Sequence, residues 1–383
     1  MDNIVVIGGS HHNTLGVVRS LGEVGLTDKI RLIIVGDSND FVSRSKYVRK
    51  ENVCIIPNED LIESALYSFN YESSKPTVIC CGDSLIGYID KHSTNLSVNF
   101  VLPNARKKTG EICRLLNKET QLLYAQSVGL ETPISLTFKK TDLSSLNWNV
   151  YPCIIKPIDS TIGGKRDIYI CQNKEVFFTS IENSKCENFQ VQEYIDKDFE
   201  FQLIGCSLDG GDNIYIPGFT RIIRQPNNTN TGYLKYSHLS QLDFNFQLAE
   251  NFIKEIGYSG LFSLEFLRGK NGKDYFMEIN MRNDGNAYCV TKFGVNLPYI
   301  WHCHCMGREI PRYDIPSQKF VMFMPELSDI KNIGKVGIWK WLKEFINSDC
   351  YASLNISDLK PFFYQLAFMV KGKVRRTLFR KTE

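Results

Sequence analysis

The stretch SLEFLRGKNGKDYFMEINMRNDGN, residues 263–286, contains two apolar runs separated by the turn pair Asn271-Gly272. Runs of this kind around an Asn-Gly pair predict two strands joined as an antiparallel hairpin. Each strand places one glutamate among apolar neighbours, Glu265 in the first and Glu278 in the second. A carboxylate in such surroundings is costly unless it is paired with, or bound to, a cation. The stretch therefore predicts a hairpin that presents two functional carboxylates.

A third oxygen ligand lies on the face of Glu278. Side chains repeat on one face of a strand every two residues, so Asn280 follows Glu278 there. Together Glu265, Glu278 and Asn280 offer the hard oxygen atoms that Mg²⁺, or Mn²⁺ in its place, prefers. Arg282 continues this face, and its positive charge beside a metal ion requires an anion between the two. The arrangement predicts a site of phosphate transfer.

A second stretch, CIIKPIDSTIGGKRDIYI at residues 153–170, combines lysines with glycines. Lys156 closes an apolar strand, and the loop after it is rich in Ser, Thr and Gly. Backbone amides of such a loop can close over phosphates. The candidate loop residues are Ser160, Gly163, Gly164 and Lys165. On its own, the stretch is also compatible, to a lesser degree, with an ordinary hairpin that carries a solvated lysine.

The N-terminal part alternates strand patterns with helical ones. Apolar runs at residues 4–7, 30–35 and 77–81 each lead into a turn that contains glycine. Buried strands followed by helices imply a parallel sheet wound by crossovers. We expect the turns at Asp37 and Asp83 to lie at the same edge of this sheet, where such folds bind ligands.

The pattern changes after residue 105. Residues 109–128 carry apolar side chains at helical spacing and predict one long helix, which Gly129 and Pro133 end. Strand-like runs follow, and turn pairs such as Gly210-Gly211 separate them, which indicates antiparallel hairpins. The predicted fold class is therefore α/β and α+β, with a small parallel-sheet N-terminal domain before a two-part domain.

The composition excludes several classes of protein. Lys and Arg total 45 against 42 Asp and Glu, a formal charge of +3, which argues against a general polyanion binder and against nucleic acid as a partner. Twelve cysteines without a CxxC pair fit reduced thiols rather than a disulfide scaffold. The start, MDNIVVIGGS, lacks a signal-peptide pattern, and no segment approaches the roughly 20 apolar residues of a membrane helix. We therefore expect a cytoplasmic protein.

The ordered set of motifs resembles the ATP-grasp superfamily of ligases. In that family a first lysine lies in a helix ahead of Gly-x-x-x-Pro, and NKETQLLYAQSVGLETP at residues 117–133 offers Lys118. A second lysine heads the phosphate-loop segment, here Lys156. The metal-binding pattern Glu…Glu-x-Asn, followed by Arg, is matched by Glu265, Glu278, Asn280 and Arg282.

The resemblance also implies an ATP site. The segment VQEYIDKDFEFQ, residues 191–202, matches the family's linker strand, in which Glu193, Tyr194 and Ile195 would hold the adenine and Glu200 the ribose. The phosphates would lie between the two lysines, the loop and the metal ligands, with Lys156 and Arg282 acting in catalysis. Arg166 departs from the family pattern, because many relatives carry another glycine there. How the loop closes over the phosphates is therefore an open question at this stage.

The N-terminal part resembles the domain that precedes ATP-grasp in carboxylate–amine ligases similar to D-aspartate ligase. The shared segments are the glycine pair at 8–9, RSLG at 19–22, SKYV at 45–48 and CGDS at 81–84. The resemblance implies a ligase that joins a carboxylate to an amine through an acyl phosphate and releases ADP and phosphate. The implied division is a pre-ATP-grasp domain at 1–105, ATP-grasp subdomains at 106–190 and 191–312, and a C-terminal extension with a basic tail at 313–383.

The sequence indicates the substrates and partners less clearly than the nucleotide and metal sites. Arg221, Arg224, Asn283 and Asp284 are candidate contacts to small carboxylate and amine substrates, although solvated charges explain the arginines equally well. The basic end KGKVRRTLFRK, residues 371–381, together with an apolar face at Phe362, Phe363, Leu366 and Phe368, would suit weak contact with a membrane surface or a solvated helix end. A homodimer also stays open.

Two other functions remain as alternatives. One is an ATP-binding protein of the same fold without catalysis, which the complete set of lysines and carboxylates disfavours. The other is a nicotinamide-dependent enzyme inferred from the turn at Gly8-Gly9. The third glycine of a dinucleotide fingerprint is missing from that turn, which argues against this alternative.

Overall fold

The computed structural model describes residues 3–36, 40–71, 74–157, 168–225 and 232–379, and only the backbone of 157 and 372–379. Within these residues the strands form three sheets, one in the N-terminal part and two in the remainder of the chain. Asp37, at one of the two turns expected to bind a ligand, lies outside the described residues. Short 3₁₀ helices lie at Thr27–Lys29, Val42–Arg44, Lys50–Asn52, Glu59–Leu61, Lys140–Ser145, Leu239–Gln241 and Ile330–Asn332.

The N-terminal unit alternates strands with helices. Its elements are β1 (Ile4–Gly8), α1 (His12–Glu23), β2 (Ile30–Val35), β3 (Val53–Ile56), α2 (Ile62–Ser68), β4 (Thr77–Cys80), α3 (Asp83–Lys91) and α4 (Ser93–Leu96). The strands form a parallel sheet in the order β3-β2-β1-β4. Every residue of β1 is buried, as expected for a strand inside a parallel sheet that is covered on both faces. The predicted parallel sheet is confirmed, and β3 is an additional strand that was not predicted.

The prediction of one long helix over 109–128 is wrong. Two helices occupy this stretch, α5 (Glu111–Leu115) and α6 (Lys118–Ser127), after the short strand β5 (Asn104–Ala105). Asn117 separates them with an extended backbone, and its side chain accepts a hydrogen bond from the Thr120 backbone N–H at 3.0 Å. This is a helix N-cap, for which asparagine is a preferred residue. Lys118 is therefore the first residue of α6.

A small antiparallel sheet follows. Its elements are β6 (Ser135–Lys139), β7 (Cys153–Pro157), β8 (Tyr169–Cys171), α7 (Lys174–Asn183) and β9 (Asn188–Glu193). The strand order is β6-β9-β7-β8. Ile155 packs in a core with Phe177 of α7 and Phe189, so the next residue along β7, Lys156, faces away from that core.

A larger, mostly antiparallel sheet forms the centre of the molecule. Its elements and covering helices are β10 (Lys197–Leu208), β11 (Asn213–Tyr215), β12 (Gly218–Arg224), β13 (Tyr233–His238), α8 (Phe246–Ile256), β14 (Tyr258–Gly269), β15 (Asp274–Asn280), α9 (Tyr288–Phe293) and α10 (Leu297–Cys305). Phe201 of β10 and Phe266 of β14 stack with their ring centroids 5.0 Å apart and mark one buried face. Residues that alternate with them lie on the other face.

The C-terminal stretch contributes to the same sheet. Its elements are β16 (Phe320–Met324), α11 (Glu326–Asp329), α12 (Ile333–Val336), α13 (Ile338–Ile346), β17 (Cys350–Tyr351) and α14 (Lys360–Phe379). The strand order is β15-β14-β10-β12-β13-β16-β17, with β11 beside β10 and β5 beside β14. Among the described residues, no helix combines the length and the apolar character needed to cross a membrane.

A buried ion pair joins the C-terminal stretch to the N-terminal unit. Arg19 of α1 donates from Nε to Oδ2 of Asp358 at 3.0 Å, and both side chains are almost completely buried. Asp358 also accepts hydrogen bonds from the Ser45 hydroxyl at 2.8 Å and the Lys46 backbone N–H at 2.9 Å. The segments RSLG and SKYV thus meet at one carboxylate, and the same segments bring Gly22 so close to Tyr47 that an added Cβ would lie 2.4 Å from the ring.

We expect Asp358→Ala to lower the free energy of unfolding by about 3–5 kcal/mol, because it leaves the buried Arg19 guanidinium unpaired. The matched control is Asp212→Ala, which removes the exposed ion pair of Asp212 with Lys254 at 3.0 Å. An exposed pair contributes about 0–1 kcal/mol. Denaturant-induced unfolding measures both variants, and equal losses in the two would contradict the assigned role of Asp358.

Candidate functional site

The hairpin of β14 and β15 brings the two predicted carboxylates together. Glu265 lies directly opposite Glu278, but the register shifts after this pair, so that Phe266 lies opposite Phe276. Met277 is therefore the extra residue of a β-bulge. The bulge interrupts the alternation of side chains, which allows Phe276 to join the aromatic core while Glu278 faces the same side as Glu265.

Glu265 lies in surroundings that disfavour its charged form. Its Oε1 accepts hydrogen bonds from Gln202 Nε2 at 3.1 Å and from Asn280 Nδ2 at 3.0 Å. Within the described part of the chain it forms no ion pair. Burial, followed by the nearby carboxylates of Glu278 and Asp284, raises the pKa of Glu265 to about 8. A cation bound between the carboxylates would relieve this repulsion.

The donor set fits a divalent cation with an incomplete protein shell. In the described ranges, no three His, Cys, Asp or Glu side chains come together as a metal site. The predicted ligands are two carboxylates and the amide of Asn280, whose Oδ1 accepts a hydrogen bond from Arg282 Nη2 at 2.9 Å. Mg²⁺ keeps several waters and commonly takes only one or two protein carboxylates together with substrate phosphates. The residues present fit that requirement.

Two lysines approach the carboxylates from different elements. Lys118 Nζ, at the start of α6, lies 2.9 Å from Glu278 Oε2, and this carboxylate raises the pKa of Lys118. Lys156 Nζ, on β7, donates to Gln192 Oε1 at 2.9 Å. Burial, followed by the charge of Lys118, lowers the pKa of Lys156 to about 8. Burial alone would raise the pKa of Glu278, but the two lysines bring it below its usual value.

Arg282 connects the hairpin to the N-terminal unit. Its Nε donates to Asp83 Oδ1 at 3.0 Å, and its Nη1 lies 3.4 Å from Asp284 Oδ2. The Arg282 side chain is only 14% exposed. Asp83 is the first residue of α3, so the turn that was expected to bind a ligand meets the carboxylate hairpin through this arginine.

Asn283 and Asp284 lie beneath the site. Both are buried, and Asn283 Nδ2 donates to Asn13 Oδ1 at 2.5 Å while Asn13 Nδ2 donates to the Asn283 carbonyl at 2.8 Å. Asp284 Oδ2 accepts a hydrogen bond from the Ser263 hydroxyl at 3.0 Å. These contacts hold the end of the hairpin against α1, and a role of the two residues in substrate binding stays a prediction.

The residues predicted to hold adenine lie where β9 leads towards β10. The Tyr194 backbone N–H donates to the Pro152 carbonyl at 3.0 Å, and the Glu193 N–H donates to the Ile134 carbonyl at 2.8 Å. Burial raises the pKa of Glu193. Ile195 continues this connection, so the three residues lie between the small and the large sheet.

Glu200, predicted to hold the ribose, lies on the face of the carboxylate hairpin. It precedes Gln202 by two residues on β10, and Gln202 is paired with Glu265 on β14. Glu200 forms an ion pair with Lys197. The structure therefore places the predicted ribose residue in the same row of side chains as the predicted metal ligands.

The two predicted substrate arginines are not brought to this cluster. Arg221 lies over the Phe199 ring, 4.2 Å from its centroid, on the opposite face of the sheet from the carboxylates. Arg224 donates to Asp329 at 2.6 Å and to Glu344. The predicted phosphate-loop residues are Ser160, Gly163, Gly164 and Lys165, which lie outside the described residues, as does Arg166.

Sequence reasoning missed two glutamines of the site. Gln192 holds Lys156 and Gln202 holds Glu265, and both are buried. Their signal was a polar residue alternating with buried apolar residues, in FQVQ at 189–192 and FEFQL at 199–203. A buried amide needs hydrogen-bond partners, so this pattern indicated a polar network.

Comparison by sequence gives a short match. No protein-family model matches the chain. Over 145 residues, 34% of the chain, it is 30% identical to the small subunit of 2-oxoglutarate carboxylase from Hydrogenobacter thermophilus. The matched part spans 30% of that protein's length.

Solved structures match most of the chain. The L-amino acid ligase of Bacillus licheniformis superposes with a TM-score of 0.58 at 15% identity, over 79% of this chain and 74% of that one. The biotin carboxylase domain of the Hydrogenobacter thermophilus 2-oxoglutarate carboxylase, solved as a dimer with MgADP, ADP and bicarbonate, gives a TM-score of 0.60 at 16% identity, over 84% and 74% of the two chains. The chain has the ATP-grasp fold.

The shared fold confirms the predicted fold class and agrees with the resemblance to the ATP-grasp superfamily. The closer likeness to D-aspartate ligase stays a prediction. A structural likeness at about 15% sequence identity shows that two proteins share a fold, but it does not show that they share a substrate.

We expect Glu265→Gln to raise the free energy of unfolding of the metal-free protein by about 1–2 kcal/mol, because it removes a carboxyl group whose charged form is disfavoured by burial and by the nearby Glu278. The amide keeps an oxygen that can accept the hydrogen bond from Gln202. Mg²⁺ should raise the melting temperature of the wild type and leave that of the variant unchanged. Glu131→Gln, at a half-exposed glutamate paired with Lys273 at 2.9 Å, is the control and should retain the Mg²⁺ response. A full response in Glu265→Gln would exclude Glu265 as a ligand.

Proposed function

We propose that the chain is an ATP-dependent ligase that joins a carboxylate to an amine through an acyl phosphate. The main support is the facing pair of Glu265 and Glu278, with Lys118, Lys156 and Arg282 directed towards it. This cluster of positive and negative side chains suits a bound Mg·ATP, because the carboxylates complement the metal ion and the cationic side chains complement the phosphates. The MgADP bound to a neighbour of the same fold agrees with this choice of ligand.

Glu265 and Glu278, assisted by Asn280, would hold Mg²⁺. A Mg²⁺ ion held by these residues would supply positive charge to neutralise the phosphates of the nucleotide. Lys118 and Lys156 would neutralise the negative charge of the phosphates that the metal ion does not offset. A triphosphate beside Lys156 would raise the pKa of this lysine, which burial lowers, so nucleotide binding and the protonation of Lys156 would support one another.

The adenine would lie at Glu193, Tyr194 and Ile195, and the ribose at Glu200. Of these positions, Glu200 lies in the same row on β10 as Gln202, which is paired with the predicted metal ligand Glu265. The loop with Ser160, Gly163, Gly164 and Lys165 would cover the phosphates. All of these residues are assigned by the family resemblance, and the spacing along β10 agrees with it.

Arg282 would stabilise the phosphoryl group during transfer. Its hydrogen bond to Asp83 holds it in place, and its low exposure reduces competition from water. In the first step an oxygen of the substrate carboxylate attacks the γ-phosphorus, and the bond to the leaving ADP oxygen breaks. In the second step the amine nitrogen attacks the acyl carbon, phosphate leaves, and the nitrogen loses a proton to give the amide.

The partners in this function are small molecules, and the chemistry requires no nucleic acid. A cytoplasmic location and a homodimer remain predictions. The neighbour solved as a dimer is consistent with the second of these.

A screen for phosphate release with Mg·ATP, over a panel of acids and amines, tests the proposal. We expect release that depends on both one acid and one amine. Glu278→Gln should reduce that turnover by roughly 100-fold or more, because it removes a charge that positions the metal and Lys118. Glu131→Gln should retain it.

The contrary outcomes are distinct. Tight binding of Mg·ADP without acid-dependent release over a broad panel would favour a non-catalytic nucleotide-binding protein. Turnover at the wild-type rate in a folded Glu278→Gln variant would contradict the assignment of Glu278 as a metal ligand.

A further inference from the structure

Helix α13 presents apolar side chains on two sides. Trp341 is buried and donates from Nε1 to Asp329 Oδ2 at 2.9 Å, which anchors the helix to the protein. On the outer side Ile338, Trp339 and Ile346 are 53%, 82% and 75% exposed. A tryptophan exposed to this degree beside two exposed isoleucines is an apolar patch that the fold itself does not need.

The exposed charges of segment 330–346 are of one sign. Lys331, Lys340 and Lys343 are exposed. Glu344 is the sole acidic residue of segment 330–346, and it is turned inward to Arg224 and only 18% exposed. We call Lys331, Ile338, Trp339, Lys340, Lys343 and Ile346 the α13 surface.

We propose that the α13 surface binds an anionic lipid bilayer, with the helix lying in the plane of the headgroups. Trp and Ile would enter the boundary between headgroups and acyl chains, while the lysines would pair with lipid phosphates. Within segment 330–346, exposed apolar residues and lysines without an exposed carboxylate are complementary to such a surface. A helix of nine residues can lie on a bilayer but is too short to cross it.

Charge also decides between the bilayer and a second copy of the chain. A two-fold symmetric interface centred on the α13 surface would place the lysines of both copies against one another. Like charges in that position disfavour association. An anionic bilayer meets the same lysines with opposite charge.

Helix α14 supplies a second element of the same character. Phe363, Phe368 and Val370 are 57%, 49% and 53% exposed. Lys360 and Lys371 are exposed as well. The predicted apolar face of this helix is thus exposed at Phe363 and Phe368, whereas Phe362 and Leu366 are half-buried. The bilayer contact predicted for the basic tail stays a separate prediction, and the α13 surface is argued on its own residues.

The tryptophans allow a direct test with the full chain. Of the four, Trp148, Trp301 and Trp341 are buried, so quenching by lipids reports on Trp339. We expect vesicles of equal parts phosphatidylglycerol and brominated phosphatidylcholine to quench the emission, and Trp339→Tyr to remove that quenching. Vesicles of phosphatidylcholine alone should bind weakly. Absence of quenching with the anionic vesicles would overturn the proposal.

Charge reversal separates the α13 surface from general electrostatics. Lys331→Glu/Lys340→Glu/Lys343→Glu should lower the vesicle partition coefficient by roughly 100-fold or more, because three attractive charges near the bilayer are lost and three repulsive charges are added. The control Lys91→Glu/Lys174→Glu/Lys185→Glu changes three exposed lysines elsewhere by the same charge and should partition like the wild type. Equal losses in both triple variants would contradict the proposal. The proposal would also be contradicted if the wild type formed a dimer in solution and did not bind vesicles, and if Trp339→Gln dissociated that dimer. These measurements are independent of ligase activity.

Discussion

Two carboxylates that face one another across adjacent strands impose the central constraint on this molecule. Glu265 and Glu278 repel each other in a partly buried setting. Cationic side chains from separate parts of the chain lie close to them and offset this repulsion. Lys118 begins a helix after a capping asparagine, Lys156 comes from another sheet, and Arg282 follows the hairpin. No one of these elements holds the charge alone. The site therefore depends on all three sheets being correctly assembled.

Assembly in turn depends on contacts that do not belong to the site. The Arg19–Asp358 ion pair ties the C-terminal stretch to the N-terminal unit, and Asn13 ties α1 to the end of the hairpin. Asp83 is thereby positioned to hold Arg282. The segments RSLG and SKYV, which contributed to the family resemblance, act here through packing and hydrogen bonds. Part of the sequence signal for the function is thus a signal for the architecture that supports it.

The sequence predicted the hairpin, the parallel sheet and both lysines, because each follows from local periodicity or a short ordered motif. It did not predict the bulge at Met277, which puts Glu278 on the correct face, since a bulge depends on how two strands pair. It predicted one helix where Asn117 caps a second one. Arg224 looked available for a substrate, but its partner Asp329 lies 105 residues away, and such pairings are set by the tertiary fold.

The most direct measurement is the affinity for ADP, by calorimetry, with Mg²⁺ and with a chelator, in the wild type and in Glu265→Gln/Glu278→Gln. If the facing carboxylates hold the metal that accompanies the nucleotide, Mg²⁺ should strengthen ADP binding to the wild type by roughly tenfold or more, or about 1.4 kcal/mol. The double variant should bind ADP with an affinity that Mg²⁺ does not change. An equal effect of Mg²⁺ on both proteins would contradict the role assigned to Glu265 and Glu278.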